Sequence, residues 1–537
     1  MHCFLKQENL SFPMSVNKSD IENVIMDKTI AFIIGQVEFT ENLGISFLSA
    51  VAKQRDWRTE LIVFDQGTID DEMLRIQPDI VAYNVMSANI SVYRDINRYL
   101  KSKFDFISIM GGPHPTFYPD VRFEQGIDFI CRGEGELAFG KFLDKFELND
   151  NLDDIENLGS SEFLNPMGLL VRDLDTLPYP DRDLTFTKTD IGQSPMKVFM
   201  VTRGCPFICS YCYNEPLNEM KKGLGKIYRR FSPERIVTEI NDVRSKYPLS
   251  FIKFQDDLFL PNNSQLEEFC RIYKKEVGLP FNALDRLDYT TKERLGIFKD
   301  ANCVSLSFAI DSANPRIRNQ ILDRRMKLNN EEIINRLRLV NDYGINTLTA
   351  FMHACPTSKI QDEIDAVTIN ARGKVTFGAS TTLLPYPGTA IYKYCVEHNL
   401  LDKHVEDTQF SSIQQRSILT SFSEKEKDVL LNIATLFATM STVSWLRHIL
   451  IFLARHVKPN FLFIWLFTIV KGYKMDRYIY PTGMPVIKKV GFFLKAFKIE
   501  NSRVRGKTKE ALSDFDTACL EDAPDTCKSN NGNEKKS

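Results

Sequence analysis

The stretch KVFMVTRGCPFICSYC (residues 197–212) joins an apolar, β-branched run to a loop that holds three cysteines. The run predicts a buried strand, which a glycine and then a proline bring to an end. Cys205, Cys209 and Cys212 follow with the spacing C-x3-C-x2-C. Three thiols so close together predict a metal or redox site.

The rest of the composition is that of a soluble globular protein, with 43% apolar and 26% charged residues. The formal net charge of −2 offers no concentrated basic surface for a nucleic acid. No charged segment followed by an apolar run marks a secretory signal. The other eight of the eleven cysteines are scattered, which favours a reducing cytoplasm over a disulfide framework. They are Cys3, Cys131, Cys270, Cys303, Cys355, Cys395, Cys519 and Cys527.

From residue 196 onwards, strand and helix patterns alternate. Six apolar segments read as strands: 197–204, 250–256, 280–286, 303–311, 345–353 and 377–385. Each is followed by a helical pattern, which predicts a partial (β/α)6 barrel of the TIM type over residues 196–400. The cysteine loop then lies at the carboxyl end of the first barrel strand, where such barrels carry their chemistry.

A second alternation precedes the barrel and predicts a doubly wound, Rossmann-like domain over residues 29–147. Its strand segments are 29–35, 59–65, 79–85, 106–112 and 127–133. Such sheets bind ligands at the carboxyl ends of their strands. The polar and glycine residues at those ends are Asn84, Ser87, Gly111, Gly112, His114, Gly133 and Glu134.

The remaining segments flank these two domains. Residues 1–28 form an N-terminal extension, and residues 148–195 predict a linker that packs on the surface. Residues 401–500 are apolar and helical, but their apolar runs fall short of the ~20 residues that span a membrane. They fit either a helical domain packed on the barrel or a helix lying on a membrane surface. The polar residues 501–537 predict a disordered tail.

Three cysteines leave one coordination position of a metal site open, where a substrate or cofactor can bind. A closed zinc site would need a fourth ligand. The histidines nearest in sequence are His114 and His353, and sequence distance alone leaves a contact in the fold open.

The cysteine spacing, with Tyr211 before the last cysteine, resembles that of the radical S-adenosylmethionine enzymes. In that family three cysteines hold a 4Fe–4S cluster whose fourth iron binds S-adenosylmethionine. Three further segments resemble the family's barrel motifs: IKFQDDLF (252–259), FAIDSANPRIRNQI (308–321) and LLPYPGTAIY (383–392). The resemblance implies cofactor contacts at Tyr211, Asp256, Asp257, Asp311, Ser312, Pro387 and Gly388. The second segment departs from the usual G-I-E-S-G.

A doubly wound domain directly before such a barrel resembles the cobalamin-binding subclass of these enzymes. GGPHPTFYPD (111–120) and CRGEGE (131–136) resemble its fourth- and fifth-strand loops. The resemblance implies corrinoid contacts at the strand-end residues given above, with His114 at the corrin edge or tail. Many cobalamin proteins place a cobalt-binding histidine after the first strand, but GQVEFTENLG (35–44) has none.

The resemblance implies an enzyme in which a 5′-deoxyadenosyl radical takes a hydrogen atom from an unactivated carbon. Methylcobalamin then methylates that carbon, in a small-molecule or lipid-like substrate. An electron donor such as flavodoxin or ferredoxin, and peripheral membrane contact through the C-terminal helices, are expected partners.

The alternatives differ in their products. The same cofactors could serve cyclisation, oxidation or rearrangement without methyl transfer. A methylthiotransferase would carry a second three-cysteine site, whereas only Cys3 and Cys131 precede the triad. A non-catalytic corrinoid-binding protein would not need the intact triad, and an iron–sulfur electron carrier would not need six βα units.

Overall fold

The computed structural model describes residues 28–35, 41–64, 69–87, 89–401 and 416–483, together with Gly491. The predicted tail (501–537) and residues 1–27 of the predicted extension lie outside the described residues.

The first sheet has six strands: β1 (Thr29–Ile34), β2 (Arg58–Val63), β3 (Ile80–Asn84), β4 (Ile107–Gly111), β5 (Phe129–Cys131) and β6 (Leu158–Gly159). Their spatial order is β2-β1-β3-β4-β5-β6, and β6 is antiparallel to its neighbour. The helices are α1 (Leu43–Lys53), α2 (Ile69–Ile76), α3 (Ile90–Lys101), α4 (Pro113–Phe117) and α5 (Glu136–Glu147). Strand β1 is buried on both faces, as its continuous apolar run requires. The prediction of a doubly wound domain is confirmed.

Residues 148–195 are more deeply buried than a surface linker. They supply β6 and the short helix α6 (Asp183–Phe186). Arg182 is 5% exposed and pairs with the carboxylates of Glu41 and Glu239. It also donates to the carbonyl of Val198 at 2.9 Å. A buried arginine needs such partners, and these come from both sides of the segment, so Arg182 ties the first domain to the second.

The second domain contains the strands β7 (Met196–Phe199), β8 (Thr202–Arg203), β9 (Arg229–Arg230), β10 (Phe251–Phe254), β11 (Phe281–Asp285), β12 (Cys303–Asp311), β13 (Asn346–His353) and β14 (Phe377–Thr382). Its helices are α7 (Asn214–Met220), α8 (Pro233–Lys246), α9 (Asn263–Glu276), α10 (Lys292–Asp300), α11 (Asn330–Asp342) and α12 (Ile360–Arg372). Six parallel strands form one sheet in the order β7-β10-β11-β12-β13-β14. All six predicted strands are present in sequence order, which confirms the partial barrel.

Side chains along β12 alternate between the two sides of the barrel wall. Leu306, Phe308 and Ile310 pack in the core beneath the helices. Ser305 points the other way, and its hydroxyl donates to the carbonyl of Ile479 at 2.7 Å. The C-terminal region therefore closes the amino-terminal end of the barrel.

Helix α13 (Ala390–Glu397) ends the segment predicted as the barrel. The C-terminal region after it is helical where it is described, as predicted: α14 (Glu424–Thr442), α15 (Arg447–His456) and α16 (Phe461–Lys474). Helix α14 is buried over residues 429–441 and covers the edge strand β14, where Ser380 donates to the carbonyl of Ala434 at 2.7 Å. Within the described parts of the chain, no helix combines the length and apolarity needed to cross a membrane.

Candidate active site

The cysteine loop begins where the first barrel strand ends, and buried contacts fix this turn. Gly204 has φ +84°, and an added Cβ would lie 2.3 Å from the carbonyl oxygen of Ile227. A side chain would not fit there. Asp256 Oδ1 accepts hydrogen bonds from the amides of Val201 (2.8 Å) and Thr202 (2.5 Å). Asp256 thus holds the chain that leads into the loop, and burial raises its pKa to about 7.

The three cysteines lie close together in the loop. Cys209 is buried, whereas Cys205 and Cys212 are half-buried. Burial raises the pKa of the Cys205 thiol and that of Cys212, the latter to about 12. Among the described residues, no group of three metal-ligating side chains converges on one ion position. A cluster distributes its thiolates over several irons, so three neighbouring thiols are a donor set that fits a cluster.

Both histidines considered as zinc ligands are engaged elsewhere. His353 is fully buried, with Nδ1 2.6 Å from Glu363 Oε2. His114 Nδ1 lies 3.1 Å from the Ser87 hydroxyl. Both contacts join a histidine to a residue outside the cysteine loop.

Behind the loop, an arginine that the sequence reading missed contacts a cluster thiol. Arg324 Nη1 donates to Cys209 Sγ at 3.6 Å, and its Nε lies 3.2 Å from Asp311 Oδ2. The same carboxylate oxygen accepts from the Tyr211 hydroxyl at 2.8 Å. Asp311 adopts φ +71°, an uncommon conformation for a residue with a side chain. The network therefore fixes Cys209 and Tyr211 within the C-x2-C step.

The other barrel residues predicted to contact a cofactor lie around the same end. Asp257 accepts from the Tyr213 hydroxyl at 3.4 Å, and desolvation raises its pKa. Ser312 is buried, and its hydroxyl accepts from the amide of Asn314 at 3.2 Å, which caps its own turn. Gly388, which follows Pro387, has φ +87°. A Cβ added at Gly388 would lie 3.7 Å from the hydroxyl oxygen of Tyr118.

A cavity of about 390 Å³ lies between the two sheets. Its first-domain lining includes Asn84, Gly111, Gly112, Gly133 and Glu134, five of the seven predicted strand-end residues. Its barrel lining includes residues next to the cysteines, among them Gly204, Tyr213 and Asp257. The carboxyl end of the first sheet therefore shares one cavity with residues that flank the cysteine loop.

The remaining two predicted residues, Ser87 and His114, lie outside the lining of this cavity. The His114 ring stacks on Tyr118 with centroids 5.1 Å apart. Burial, helped by the charge of Arg94, lowers the pKa of His114 to about 4. The imidazole is therefore neutral at pH 7, and its loop faces the Pro387–Gly388 turn.

Two family models match this chain. The radical SAM superfamily model matches residues 199–368, and the B12 binding domain model matches residues 34–143. The chain is a cobalamin-binding radical S-adenosylmethionine enzyme. Its cofactors are a 4Fe–4S cluster, S-adenosylmethionine and cobalamin.

Named relatives of this radical S-adenosylmethionine enzyme include proteins with different products. An uncharacterized methyltransferase of Pyrococcus horikoshii is 27% identical over 376 residues, which cover 67% of this chain and 79% of that protein. An anaerobic magnesium-protoporphyrin IX monomethyl ester cyclase of Rubrivivax gelatinosus is 23% identical over 331 residues, covering 57% and 58%. The methyltransferase TsrM of Kitasatospora setae, solved with cobalamin and a 4Fe–4S cluster, shares the fold. Its TM-score is 0.57 at 14% identity, covering 70% of this chain and 75% of TsrM.

The cavity of the enzyme is bounded on one side by a tight glycine turn with a buried amide oxygen beside it. Gly112 has φ +99°, and a Cβ there would lie 2.2 Å from Asn84 Oδ1. That oxygen is buried and has no hydrogen-bond partner among the described residues, so an acceptor is available beside the glycine turn. The described lining of the cavity contains no histidine.

Two arginines of the enzyme that the sequence reading also missed join its domains. Arg203 and Arg229 face each other in the β8–β9 pair. Arg203 donates to Glu136 at 2.6 Å, and Arg229 donates to Glu134 Oε2 at 2.9 Å. Burial alone would raise the pKa of Glu134, but Arg229 and Lys221 outweigh it and hold the pKa below its usual value. Glu134 therefore lines the cavity while bound to the barrel. In the sequence, the position of Arg203 just before the cysteine loop is a signal that could have indicated this contact between the domains.

Proposed function

We propose that the enzyme transfers a methyl group to an unactivated carbon of a small-molecule or lipid-like substrate. One observation carries the proposal: a single cavity is lined by strand ends of the B12 binding domain and by Gly204 and Tyr213, which flank the cysteine loop. A cluster held by the three cysteines would supply the electron that cleaves S-adenosylmethionine to methionine and a carbon radical, and cobalamin would supply the methyl group. Methyltransferases among the relatives support the same reading.

Different residues of this chain would bind the cluster and the corrinoid. Cys205, Cys209 and Cys212 would hold the cluster, and Arg324 would orient the Cys209 side of the loop. Asn84, with the glycines beside it, would seat the corrinoid. An electron donor such as flavodoxin or ferredoxin would supply the electron.

A second candidate keeps both cofactors but ends in ring formation, oxidation or rearrangement. The similarity to the cyclase of Rubrivivax gelatinosus favours it. The two candidates differ in the fate of the methyl group of S-adenosylmethionine, and this can be followed without knowing the substrate.

The experiment supplies anaerobically reconstituted, cobalamin-loaded enzyme with a strong reductant and S-adenosylmethionine that carries a deuterated methyl group. A methyltransferase should place that methyl on the extracted corrinoid and release an equal amount of S-adenosylhomocysteine. Formation of 5′-deoxyadenosine without any labelled corrinoid would reject methyl transfer and favour the second candidate. Enzyme lacking cobalamin is the control and should form no labelled corrinoid.

A further inference from the structure

Large apolar side chains are exposed on the last two helices. Of the 19 large apolar residues that are exposed in the described chain, eight lie between residues 445 and 473. Three of them, Trp445, Phe452 and Trp465, are 74%, 60% and 49% exposed. Single exposed apolar residues are ordinary, but a concentration of this kind marks an interaction surface.

The exposed residues follow helical spacing on both helices. Ile449 and Phe452 are separated by three residues, which places them on one side of α15, and the exposed Trp445 lies in the turn just before this helix. The opposite side buries Leu450 and Ala454. The carbonyl of Ala454 accepts from Asn432 of α14 at 3.2 Å, so the buried side faces α14 and the exposed side faces away from it.

Helix α16 repeats this arrangement. Phe463, Ile464 and Phe467 are buried, whereas Leu462 and Trp465 are exposed. Each helix is therefore apolar on two sides but needs only one of them to pack on the protein. Helices with apolar residues around their circumference are buried or lie in a lipid environment. We refer to the exposed sides of α15 and α16, together with Trp445, as the outer face.

The outer face lies in a strongly basic segment. Between residues 443 and 483 the sequence has a single acidic residue, Asp476. Its lysines and arginines are Arg447, Arg455, Lys458, Lys471, Lys474 and Arg477. The whole chain, by contrast, balances 68 basic against 70 acidic residues. Aromatic side chains among lysines and arginines match the boundary between acyl chains and anionic headgroups.

We propose that the outer face of α15 and α16 docks the enzyme on the surface of an anionic lipid bilayer. The apolar side chains enter the headgroup boundary, and the lysines and arginines bind the headgroups. A second copy of the chain is a poorer occupant, because self-pairing would bring two basic surfaces together. The proposal does not depend on methyl transfer, since it concerns helices remote from the cysteine loop in sequence.

Tryptophan fluorescence tests the proposal on the full wild-type chain. The protein has three tryptophans, of which Trp445 and Trp465 lie on the outer face and Trp57 is 2% exposed in the first domain. Vesicles of mixed phosphatidylcholine and phosphatidylglycerol should shift the emission to shorter wavelength and cosediment with the protein, and added salt should reverse both effects. Equal binding to pure phosphatidylcholine vesicles, or none to either, would overturn the proposal.

Substitutions distinguish binding by the outer face from non-specific binding of the protein to vesicles. Phe452→Ser together with Arg455→Glu should weaken vesicle binding at least about tenfold. Leu148→Ser, at a 77% exposed position in the first domain, is the matched control and should leave binding unchanged. Circular dichroism verifies that both variants fold. If the outer-face variant instead abolished a concentration-dependent dimer and left vesicle binding intact, the occupant would be a second copy and the proposal would fail.

Discussion

The carboxyl ends of the parallel strands differ between the first and second sheets in what they offer a ligand. The first sheet offers a cavity partly lined by glycines: Gly112 is one of them, and the Asn84 oxygen beside it is left without a partner among the described residues. The second sheet offers donors: three thiols, with Arg324 bonded to one of them. A large organic ring is held by shape and scattered contacts, whereas iron needs thiolates.

The largest expected effect comes from removing a donor from the second sheet. Cys205→Ala should abolish cluster assembly, so that the bound iron falls from about four per chain to near zero. Corrinoid binding should persist, because the glycine turn of the first sheet is untouched. Iron analysis and electron paramagnetic resonance measure the first effect, and absorbance after adding hydroxocobalamin measures the second.

Cys395→Ala is the control for this substitution, because Cys395 is buried in the core and belongs to no cysteine cluster in sequence. It should keep its iron. Full iron content in Cys205→Ala would show that the loop does not hold the cluster, and the contrast between the two sheets would be lost.

A substitution that displaces Asn84 at the end of the first sheet should have the next largest effect. Gly112→Ala places a Cβ 2.2 Å from Asn84 Oδ1 and 2.9 Å from the amide nitrogen of Val85, in a backbone conformation that strains any side chain. We expect corrinoid affinity to fall by at least about tenfold, with iron content unchanged. Gly296→Ala is the control, because its Cβ would meet nothing within 4 Å. Corrinoid binding by Gly112→Ala at wild-type affinity would contradict this account.

The sequence predicted the strands and the cysteine loop but not the contacts between distant residues. Apolar periodicity located all the parallel strands, since a strand buried on both faces must be continuously apolar. Cysteine spacing located the cluster loop, because three thiols so close together have few other uses. Arg324 was missed because it contacts Cys209 across 115 residues of chain, and no local pattern records such a contact. For the same reason Glu134 was read as a ligand only, although Arg229 binds it from the barrel.

Substitution of Arg324 should have a smaller effect, on the reduction potential of the cluster and not on its iron content. A hydrogen bond from a cation stabilises the more negative, reduced cluster, so Arg324→Gln should lower the reduction potential. The expected shift is about 60 mV for each 1.4 kcal/mol of lost preference in this one-electron couple. Redox titration followed by electron paramagnetic resonance measures it. Arg325→Gln is the control, because the exposed Arg325 bonds Asp323 at 2.9 Å. An unchanged potential in Arg324→Gln, with iron retained, would leave Arg324 a purely structural role.

The smallest effect concerns His114, beside the space of the first sheet. Its pKa is lowered to about 4, first by burial and then by Arg94, so folding favours the neutral ring. Its stabilisation is complete above the ordinary pKa of about 6.5 and is lost as the pH falls towards 4. Because the ring is partly exposed, we expect wild-type enzyme to lose about 1 kcal/mol more than His114→Gln between pH 7 and pH 5. Urea unfolding at the two pH values measures the difference. Identical losses in both proteins would mean that His114 titrates normally, and that the first sheet buries no neutral histidine beside its cavity.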